Sequence, residues 1–314
     1  MALNEPRLLV VAGPTGTGKS ELAAALAREI HGEIVNYDSV QIYCGFDIGS
    51  AKPPAGMRAE IPHHLFDIVD ADQPFTAADF AARARSVCAG INGRGRVAVL
   101  VGGTSFYLRA FLAGLPGLPA AQPELRIRIR RIRAGRRGRE RLHDLLTRCD
   151  PETAARVSPA DSHRVERALE VFFTAGKPIS SWPRPTAASE ETPSYKIGLE
   201  LPREVLVARL DRRVEAMYEQ GLIDETRRLL ERYDASARPF SSIGYREAVG
   251  VLQGGISEAE ARAETGRRTR AYAKRQMTWL RGERNVHWYR AMPEDNSLTG
   301  VILSTLPENF RNES

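Results

Sequence analysis

Residues 13–20 form the first pattern in the chain that could do chemistry. They read G-P-T-G-T-G-K-S and match the phosphate-binding pattern G-x-x-x-x-G-K-[ST] at every required position. Glycines in such a loop let backbone N–H groups converge on a polyphosphate, and the start of the following helix adds a favourable dipole. Lys19 would contact phosphate oxygens, and the Ser20 hydroxyl would ligate Mg²⁺. The predicted phosphate-binding residues are Gly13, Pro14, Thr15, Gly16, Thr17, Gly18, Lys19 and Ser20.

Two polar residues, Asp38 and Thr104, follow segments that are predicted to be strands. Asp38 comes after residues 33–36, and Thr104 comes after Val97–Val101 and a pair of glycines. Because the carboxyl ends of parallel strands meet at one edge of a sheet, we expect both residues to face the phosphate-binding loop. Taken alone, Asp38 is more simply a helix or turn cap, and Thr104 is equally well a turn hydroxyl bonded to its own backbone.

The strand that ends at Val101 lacks the acidic residue that nucleotide hydrolases usually carry beside the phosphate-binding loop. It continues as Gly-Gly-Thr-Ser. In such hydrolases, a carboxylate at the end of a neighbouring strand holds Mg²⁺. Its absence argues against an ATP-driven motor and favours a different diphosphate ester as the ligand of the loop.

A longer series of short motifs follows the loop. The motifs read DSVQIY, DIGSAKP, PHHL, GGTSFYL, DSHRVERALEV, IGYRE and KRQMTWLR, and they begin at residues 38, 47, 62, 102, 161, 243 and 274. In order and spacing, this series resembles bacterial members of the tRNA dimethylallyltransferase (tRNA isopentenyltransferase) family. The resemblance extends from the phosphate-binding loop to about Trp288. The loop is common to many proteins, whereas the combined series is highly specific.

The resemblance implies transfer of a dimethylallyl group from dimethylallyl diphosphate to N6 of the adenosine just 3′ of a tRNA anticodon. It assigns Asp38 as the general base, which is chemically sensible because the adenine amine is a poor nucleophile until a carboxylate accepts its proton. Lys19, Thr104 and Mg²⁺ held by Ser20 would stabilise the leaving diphosphate. We expect the target adenine to leave its stack and enter a channel between the loop and a helical insertion.

Residues 203–225 carry two arginines, Arg209 and Arg213, that lie one helical turn apart. The resemblance implies a diphosphate-binding arginine in this region, and Arg213 is the better match. Pairing of an exposed arginine with a nearby carboxylate is the alternative interpretation.

The resemblance also implies a tRNA-binding surface made of several separate stretches. Residues 162–163 depart from the family, since they read Ser-His where relatives usually have Pro-Gln, although histidine keeps the capacity for hydrogen bonding. Trp279 is better explained as a core residue than as a stacking platform. The predicted tRNA-binding residues are Asp38, Ser39, Val40, Gln41, Thr104, Arg126, His163, Arg164, Val165, Glu166, Arg167, Ser241, Ser242, Ile243, Gly244, Tyr245, Arg246, Lys274, Arg275, Gln276, Met277, Thr278, Trp279, Leu280 and Arg281.

Strands and helices must alternate to position these residues. Apolar runs predict strands, and apolar residues at helical spacing predict the helices between them. The predicted strands are Leu8–Ala12, 33–36, Val97–Val101 and 195–201, and the predicted helices are 20–30, 77–91, 205–218 and 223–233. Residues 125–175 look wholly helical, between proline-rich linkers at 114–123 and 176–193.

This alternation predicts an α/β fold with a P-loop, a doubly wound, mostly parallel sheet and an inserted helical subdomain. The predicted core consists of residues 1–120 and 195–314, which include helices at the C-terminal end. The predicted insertion, residues 121–194, would bind tRNA.

The formal net charge is +6, and the positive charge is concentrated in two segments. Residues 126–148 contain ten arginines against two acidic residues, and residues 266–284 contain seven basic residues against one. In the second segment Arg267, Arg270, Lys274 and Arg281 recur at helical spacing and predict one cationic stripe. Such segments are typical of proteins that bind a polyanion such as nucleic acid, and solvated helix faces give the same pattern.

Length and composition set broader limits. The 314 residues suffice for two domains or for one core with an insertion, and no run of about 18 apolar residues could span a membrane. Three widely spaced cysteines argue against a disulfide framework and a cysteine zinc site. The cysteine content is typical of a cytoplasmic protein, and the resemblance implies a monomer that binds the tRNA anticodon stem-loop, dimethylallyl diphosphate and Mg²⁺.

Three alternative functions share part of the pattern. A kinase of a small metabolite would explain the phosphate-binding loop and Asp38, but it would leave both basic segments unexplained. A transferase that acts on free adenine nucleotides would use the same chemistry without the tRNA-binding motifs. A noncatalytic RNA-binding NTPase would be expected to carry the acidic residue that is missing after Val101.

Overall fold

The computed structural model describes residues 7–183, 192–291 and 297–310. In chain order its elements are β1 (Leu8–Ala12), α1 (Lys19–Glu29), β2 (Gly32–Asn36), α2 (Ala55–Glu60), β3 (His63–His64), α3 (Ala77–Gly93), β4 (Val97–Val101), α4 (Ser105–Leu112), α5 (Pro123–Ala134), α6 (Gly138–Cys149), α7 (Pro151–Arg156), α8 (Ser162–Ala175), β5 (Tyr195–Glu200), α9 (Arg203–Glu219), α10 (Leu222–Leu230), α11 (Tyr245–Leu252), α12 (Glu258–Leu280), β6 (Val286–Arg290) and α13 (Leu298–Thr305). Short 3₁₀ helices span Ile179–Ser181, Arg238–Ser241 and Glu308–Phe310. Within the described ranges, no helix is both long and apolar enough to cross a membrane.

The described strands form one parallel sheet in the order β3-β2-β4-β1-β5-β6. This confirms the predicted α/β fold with a parallel sheet, and the four predicted strands correspond to β1, β2, β4 and β5. The strands β3 and β6 have no counterpart in the prediction. β3 is only two residues long, and β6 lies at the edge of the sheet with mostly exposed residues. Neither has the continuous apolar run that marks a buried parallel strand.

The centre of the sheet is formed by β1 and β4. Both strands are apolar throughout, and every residue in them is buried. The helix α1 covers β1 with Leu22 and Leu26, and α13 packs against the same cluster through Ile302. Burying one side chain of this size stabilises the fold by about 1.5–3 kcal/mol. The loop between β1 and α1 is therefore held at both ends by well-packed elements.

The chain divides into two compact units. The sheet unit is Met1–Leu112 with Thr192–Ser314, and the helical unit is Ala113–Glu191. The stretch that looks wholly helical in the sequence contains four helices, α5 to α8, separated by turns. They enclose a core made of Ile129, Leu142, Leu146, Ala154, Val165, Ala168 and Leu169. Residues 184–191 of the predicted second linker lie outside the described residues.

Candidate active site

The phosphate-binding loop connects β1 to α1 and is folded back on itself. Gly16 and Gly18 both have a φ of +85°, which side chains other than glycine rarely adopt. The Thr17 hydroxyl donates a hydrogen bond to the carbonyl oxygen of Pro14 at 2.9 Å, and Lys19 Nζ donates to the same oxygen at 2.8 Å. The lysine of the motif is thus held at the loop by a weak internal acceptor that an anion could replace.

A cavity of about 280 Å³ opens beside this loop in the sheet unit. It lies at the carboxyl edge of the sheet, where β2 and β4 end, and α9 and α12 complete its wall. The predicted site residues that line it are Thr15, Lys19, Ser20, Asp38, Ser39, Val40, Gln41, Thr104, Arg213, Ile243 and Gln276. The structure therefore brings together side chains that are up to 261 positions apart in the chain.

Asp38 takes part in a turn as well as facing the cavity. Its Oδ1 accepts hydrogen bonds from the N–H groups of Val40 at 2.8 Å and Gln41 at 3.4 Å, and its own N–H donates to Asn36 at 2.9 Å. The interpretation of Asp38 as a turn cap is thus correct for its Oδ1. The carboxylate also lines the cavity that contains Lys19. A fixed turn of this kind would hold the carboxylate in one orientation.

Thr104 contacts the segment that follows Asp38. Its Oγ accepts a hydrogen bond from the Ser39 N–H at 2.9 Å and donates to the Ser39 hydroxyl at 3.0 Å. The threonine does not bond to the backbone of its own turn through these contacts. It connects the end of β4 to the end of β2, across the carboxyl edge of the sheet.

Two cationic side chains, Lys19 and Arg213, face the cavity together. Burial and the nearby Arg213 guanidinium lower the pKa of Lys19 to about 7, although Asp38 opposes the shift. Burial also lowers the pKa of Arg213. Within the described residues, neither cation forms a salt bridge. Two desolvated cations without a paired carboxylate are the arrangement expected of a site that binds a multiply charged anion. Arg209 lies one turn earlier and lines a neighbouring cavity, which Lys19, Ser20 and Arg213 also line.

The site offers oxygen ligands to a metal ion such as Mg²⁺, but its described residues do not surround such an ion with several ligating side chains. Ser20 lines the cavity directly after Lys19, at the start of α1. In the described ranges no group of three or more histidine, cysteine, aspartate or glutamate residues could hold a metal ion. Mg²⁺ typically keeps several waters and is bound by one or two protein oxygens together with substrate phosphates. The Ser20 hydroxyl fits that mode of binding, with the diphosphate as the main ligand.

The helix α12 contributes four residues to the cavity wall, Thr265, Thr269, Tyr272 and Gln276. The Tyr272 hydroxyl and Gln276 Nε2 both donate to the carbonyl oxygen of Gly103, each at 2.7 Å. Sequence reasoning did not identify Tyr272, and it assigned Gln276 to the tRNA surface. The signal in the sequence is their i, i+4 spacing, which places both on one face of a helix.

The predicted tRNA-binding stretch at residues 241–246 is divided between the surface and the interior. Tyr245 is fully buried, and its hydroxyl donates to Glu225 Oε1 at 2.5 Å and accepts from the Gly49 N–H at 3.1 Å. The hydroxyls of Ser241 and Ser242 donate to backbone carbonyl oxygens three residues earlier. Arg246, the one charged residue of the stretch, is exposed. Ser241 and Arg246 are therefore open to solvent, whereas Tyr245 supports the loop from within.

Two members of the predicted cationic stripe on α12 form ion pairs. Arg267 pairs with Glu264 at 2.6 Å, and Arg270 pairs with Asp211, so half of the predicted charge is compensated. Lys274 and Arg281 are exposed, and so is Arg275, which lies outside the predicted stripe. Free positive charge is therefore concentrated toward the C-terminal end of the helix. Along the same stretch, Met277, Trp279 and Leu280 are partly or fully buried, whereas Thr278 is exposed.

Trp279 is partly buried, and its indole ring packs against the guanidinium group of Arg109. The Arg109 guanidinium lies 5.3 Å from the centre of the indole ring and also pairs with Glu283 at 3.2 Å. This packing fixes the end of α12 against α4. The interpretation of Trp279 as a packing residue agrees with this environment.

In the helical unit, two of the predicted tRNA-binding arginines share a buried carboxylate. Arg126 pairs with Glu170 at 2.8 Å, and Arg167 pairs with it at 2.6 Å. Burial alone would raise the pKa of Glu170, but the hydrogen bonds from both guanidinium groups outweigh it and lower the pKa. The carboxylate stays charged and compensates part of the positive charge of both arginines.

The stretch at residues 163–167 is divided between the surface and the core of the helical unit. His163 and Arg164 are exposed, whereas Val165 and Glu166 are buried. Glu166 pairs with Arg133 and with Arg130. Only part of the motif can therefore present side chains to a ligand.

Comparisons with known proteins agree on one family. The family model described as IPP transferase matches residues 41–283, and that described as isopentenyl transferase matches residues 6–60. The chain is 42% identical over 305 residues to a tRNA dimethylallyltransferase of Koribacter versatilis, covering 97% of this chain and 99% of that protein. It is 46% identical over 285 residues to the corresponding protein of Solibacter usitatus, with coverage of 90% and 92%.

Solved structures show the same likeness. The fold is similar to that of the full-length tRNA isopentenylpyrophosphate transferase of Bacillus halodurans, with a TM-score of 0.70, 35% identity and coverage of 97% of this chain and 98% of that one. It is also similar to a eukaryotic dimethylallyltransferase acting on tRNA. In that case the TM-score is 0.73, the identity is 26%, and the coverage is 96% of this chain and 80% of the other.

Proposed function

The chain belongs to the tRNA dimethylallyltransferase family of prenyltransferases, and we propose that it transfers a dimethylallyl group to N6 of the adenosine just 3′ of a tRNA anticodon. The donor in this proposal is dimethylallyl diphosphate, and the second product is diphosphate. The observation that carries the proposal is the cavity in which Asp38 faces Lys19 and Arg213. One side of that cavity suits a diphosphate, and the other offers a carboxylate to an acceptor.

The acceptor side depends on Asp38. Its carboxylate accepts a proton from the exocyclic amine while N6 bonds to C1 of the dimethylallyl group. The C1–O bond breaks at the same time, and its electron pair leaves with the diphosphate. The proton later passes from Asp38 to solvent. Because Val40 and Gln41 hold the Oδ1 of this carboxylate, the base is oriented before the acceptor arrives.

The leaving-group side depends on cations and on the backbone of the loop. Negative charge grows on the diphosphate in the transition state, and Lys19 and Arg213 are the side chains that face it in the cavity. Diphosphate binding would restore the full positive charge of Lys19, because an anion compensates the burial that lowers its pKa. The Thr104 hydroxyl, which donates to the Ser39 hydroxyl in the free protein, would donate to the diphosphate instead. Mg²⁺ bound at Ser20 would supply additional neutralisation of the leaving group.

The tRNA side depends on exposed positive charge. Among the predicted tRNA-binding residues, this charge lies on Arg246, Lys274, Arg275 and Arg281 in the sheet unit and on Arg164 in the helical unit. These side chains suit contacts to phosphates, which position an RNA without reading its sequence. The target adenine has to leave its stack to bring N6 to Asp38, as in other enzymes that modify a base.

Diphosphate release tests the proposal against the small-acceptor alternatives. Dimethylallyl diphosphate is incubated with the protein and Mg²⁺, either with unmodified tRNA or with free AMP. We expect stoichiometric release of diphosphate only when tRNA is present. Release that depends on AMP alone would contradict the proposed acceptor, and the absence of release in both cases would contradict the reaction.

A further inference from the structure

Gln276 connects the two sides of the cavity through a single amide group. Its Oε1 accepts a hydrogen bond from the Thr15 N–H at 2.8 Å, and its Nε2 donates to the Gly103 carbonyl oxygen at 2.7 Å. Thr15 belongs to the phosphate-binding loop, and Gly103 belongs to the turn that carries Thr104. The side chain is thus bonded to both elements that would surround a bound diphosphate.

Gln276 does not reach the exposed surface of α12. Gln276 is 4% exposed, although the neighbouring residues Lys274 and Arg275 are exposed on the same helix. Its carbonyl oxygen and its amino group are each engaged inside the protein. A Cβ at residue 103 would lie 2.9 Å from both Gln276 Nε2 and Asp38 Oδ2, so a larger residue there would displace these side chains. The close approach indicates a fitted contact between α12 and the turn.

The bond to Thr15 matters because a phosphate-binding loop works through the directions of its backbone N–H groups. A loop that is free to move must be ordered when the ligand binds, and that cost lowers affinity. A glutamine fixed in the protein interior restrains the loop before the ligand arrives. Tyr272 also donates to Gly103, but it does not contact the loop through that bond. Within the described residues, Gln276 alone combines these two contacts through one side chain.

We propose that Gln276 is a positioning residue for the diphosphate, which holds the phosphate-binding loop against the Gly103 turn and contributes nothing to tRNA affinity. The inference rests on the proposed function for the identity of the diphosphate ester. In this inference Gln276, a buried residue of the predicted tRNA-binding stretch 274–281, acts on the binding of the allyl diphosphate. Exposed members of the motif keep the role of contacting tRNA.

The test replaces Gln276 by methionine, which has a similar shape but makes neither hydrogen bond. Calorimetry measures the affinity of the free protein for dimethylallyl diphosphate and, in parallel, for inorganic diphosphate. A gel-shift assay measures the affinity for unmodified tRNA. We expect diphosphate binding to weaken about tenfold, as for the loss of one to two buried hydrogen bonds. Gln253→Met, the same substitution at an exposed position, is the matched control.

Unchanged tRNA affinity of the Gln276→Met variant would also show that α12 is correctly folded. Diphosphate binding equal to that of the wild type would overturn the inference, and so would an equal loss of affinity for both substrates. If the wild-type protein binds inorganic diphosphate but not dimethylallyl diphosphate, the proposed donor is wrong. The comparison of Gln276→Met with wild type on inorganic diphosphate then still tests the positioning role.

Discussion

The hydroxyl of Thr104 accepts a hydrogen bond from the Ser39 N–H at 2.9 Å, and this contact joins the ends of β4 and β2. Ser39 directly follows Asp38, so the position of the proposed base depends on a residue that also faces the diphosphate side of the cavity. Thr104 thus connects the part of the site that would bind the adenine with the part that would bind the diphosphate.

Replacing Thr104 by valine should therefore affect both halves. The change keeps the shape of the side chain but removes the acceptor for Ser39 and the hydroxyl that faces the diphosphate. We expect kcat/KM for the allyl diphosphate to fall by about 10- to 100-fold. Thr104→Ser, which retains the hydroxyl, should remain close to the wild type. Equal activity of the valine and serine variants would show that the hydroxyl has no role.

Several parts of the fold and site follow from short-range sequence signals. The buried strands β1 and β4 are continuous apolar runs, and Asp38 and Thr104 follow strands whose ends meet at one edge of a parallel sheet. The strand β6 lacks such a signal, because an edge strand with exposed residues needs only backbone pairing to form.

Short-range sequence signals do not predict which residues of a motif are exposed and which are buried. The motifs at residues 241–246 and 274–281 mix exposed and buried side chains, and the sequence does not say which neighbours cover them. Tyr245 and Gln276 are buried because α10 and the Gly103 turn lie against them. Likewise, the charge compensation of Arg126 depends on Glu170, which is 44 positions away. Such relationships arise only from tertiary packing.

The lowered pKa of Lys19 predicts that diphosphate binding depends on pH. In the free protein Lys19 loses its proton near pH 7, and a bound diphosphate would raise its pKa again. Binding should therefore be strongest below about pH 7, weaken as the pH rises through and above this value, and take up as much as one proton. Calorimetry in buffers with different ionisation enthalpies measures this uptake. The Lys19→Met variant should bind more weakly and take up no proton, and proton uptake that persists in the variant would contradict the assignment.

The salt dependence of tRNA binding should distinguish free from compensated cations. Lys274 is exposed, whereas Arg126 shares the buried carboxylate of Glu170 with Arg167. Lys274→Ala should reduce the slope of log K against log salt by about 1, as expected for one lost phosphate contact. Arg126→Ala should change the slope less. A larger effect at Arg126 would show that its ion pair opens when tRNA binds.

The buried hydroxyl of Tyr245 should contribute to stability. Tyr245→Phe removes a donor to Glu225 and an acceptor for the Gly49 N–H. Glu225 keeps its hydrogen bonds from the Ile48 N–H, and the Gly49 N–H keeps a longer one to Glu225 at 3.5 Å. Because a buried hydrogen bond to a charged group is lost, we still expect the free energy of unfolding to fall by about 1–3 kcal/mol. Urea denaturation measures the change. Tyr233→Phe is the matched control, since its hydroxyl donates to Asp70 in a less buried position and should cost less. Equal losses in the two variants would contradict the role of burial.

The mass of the nucleosides in reacted tRNA tests the central claim most directly. Wild-type protein and the Asp38→Asn variant are each incubated with dimethylallyl diphosphate, Mg²⁺ and unmodified tRNA, and the digested nucleosides are weighed. Asparagine keeps an oxygen acceptor for the Val40 N–H, so the turn is preserved while the base is lost. With the wild type, one adenosine just 3′ of the anticodon should gain the mass of a dimethylallyl group in place of hydrogen. The variant should react about 100- to 10,000-fold more slowly with unchanged tRNA affinity. No mass gain, a gain on another nucleoside, or equal rates for the two proteins would contradict the proposed reaction.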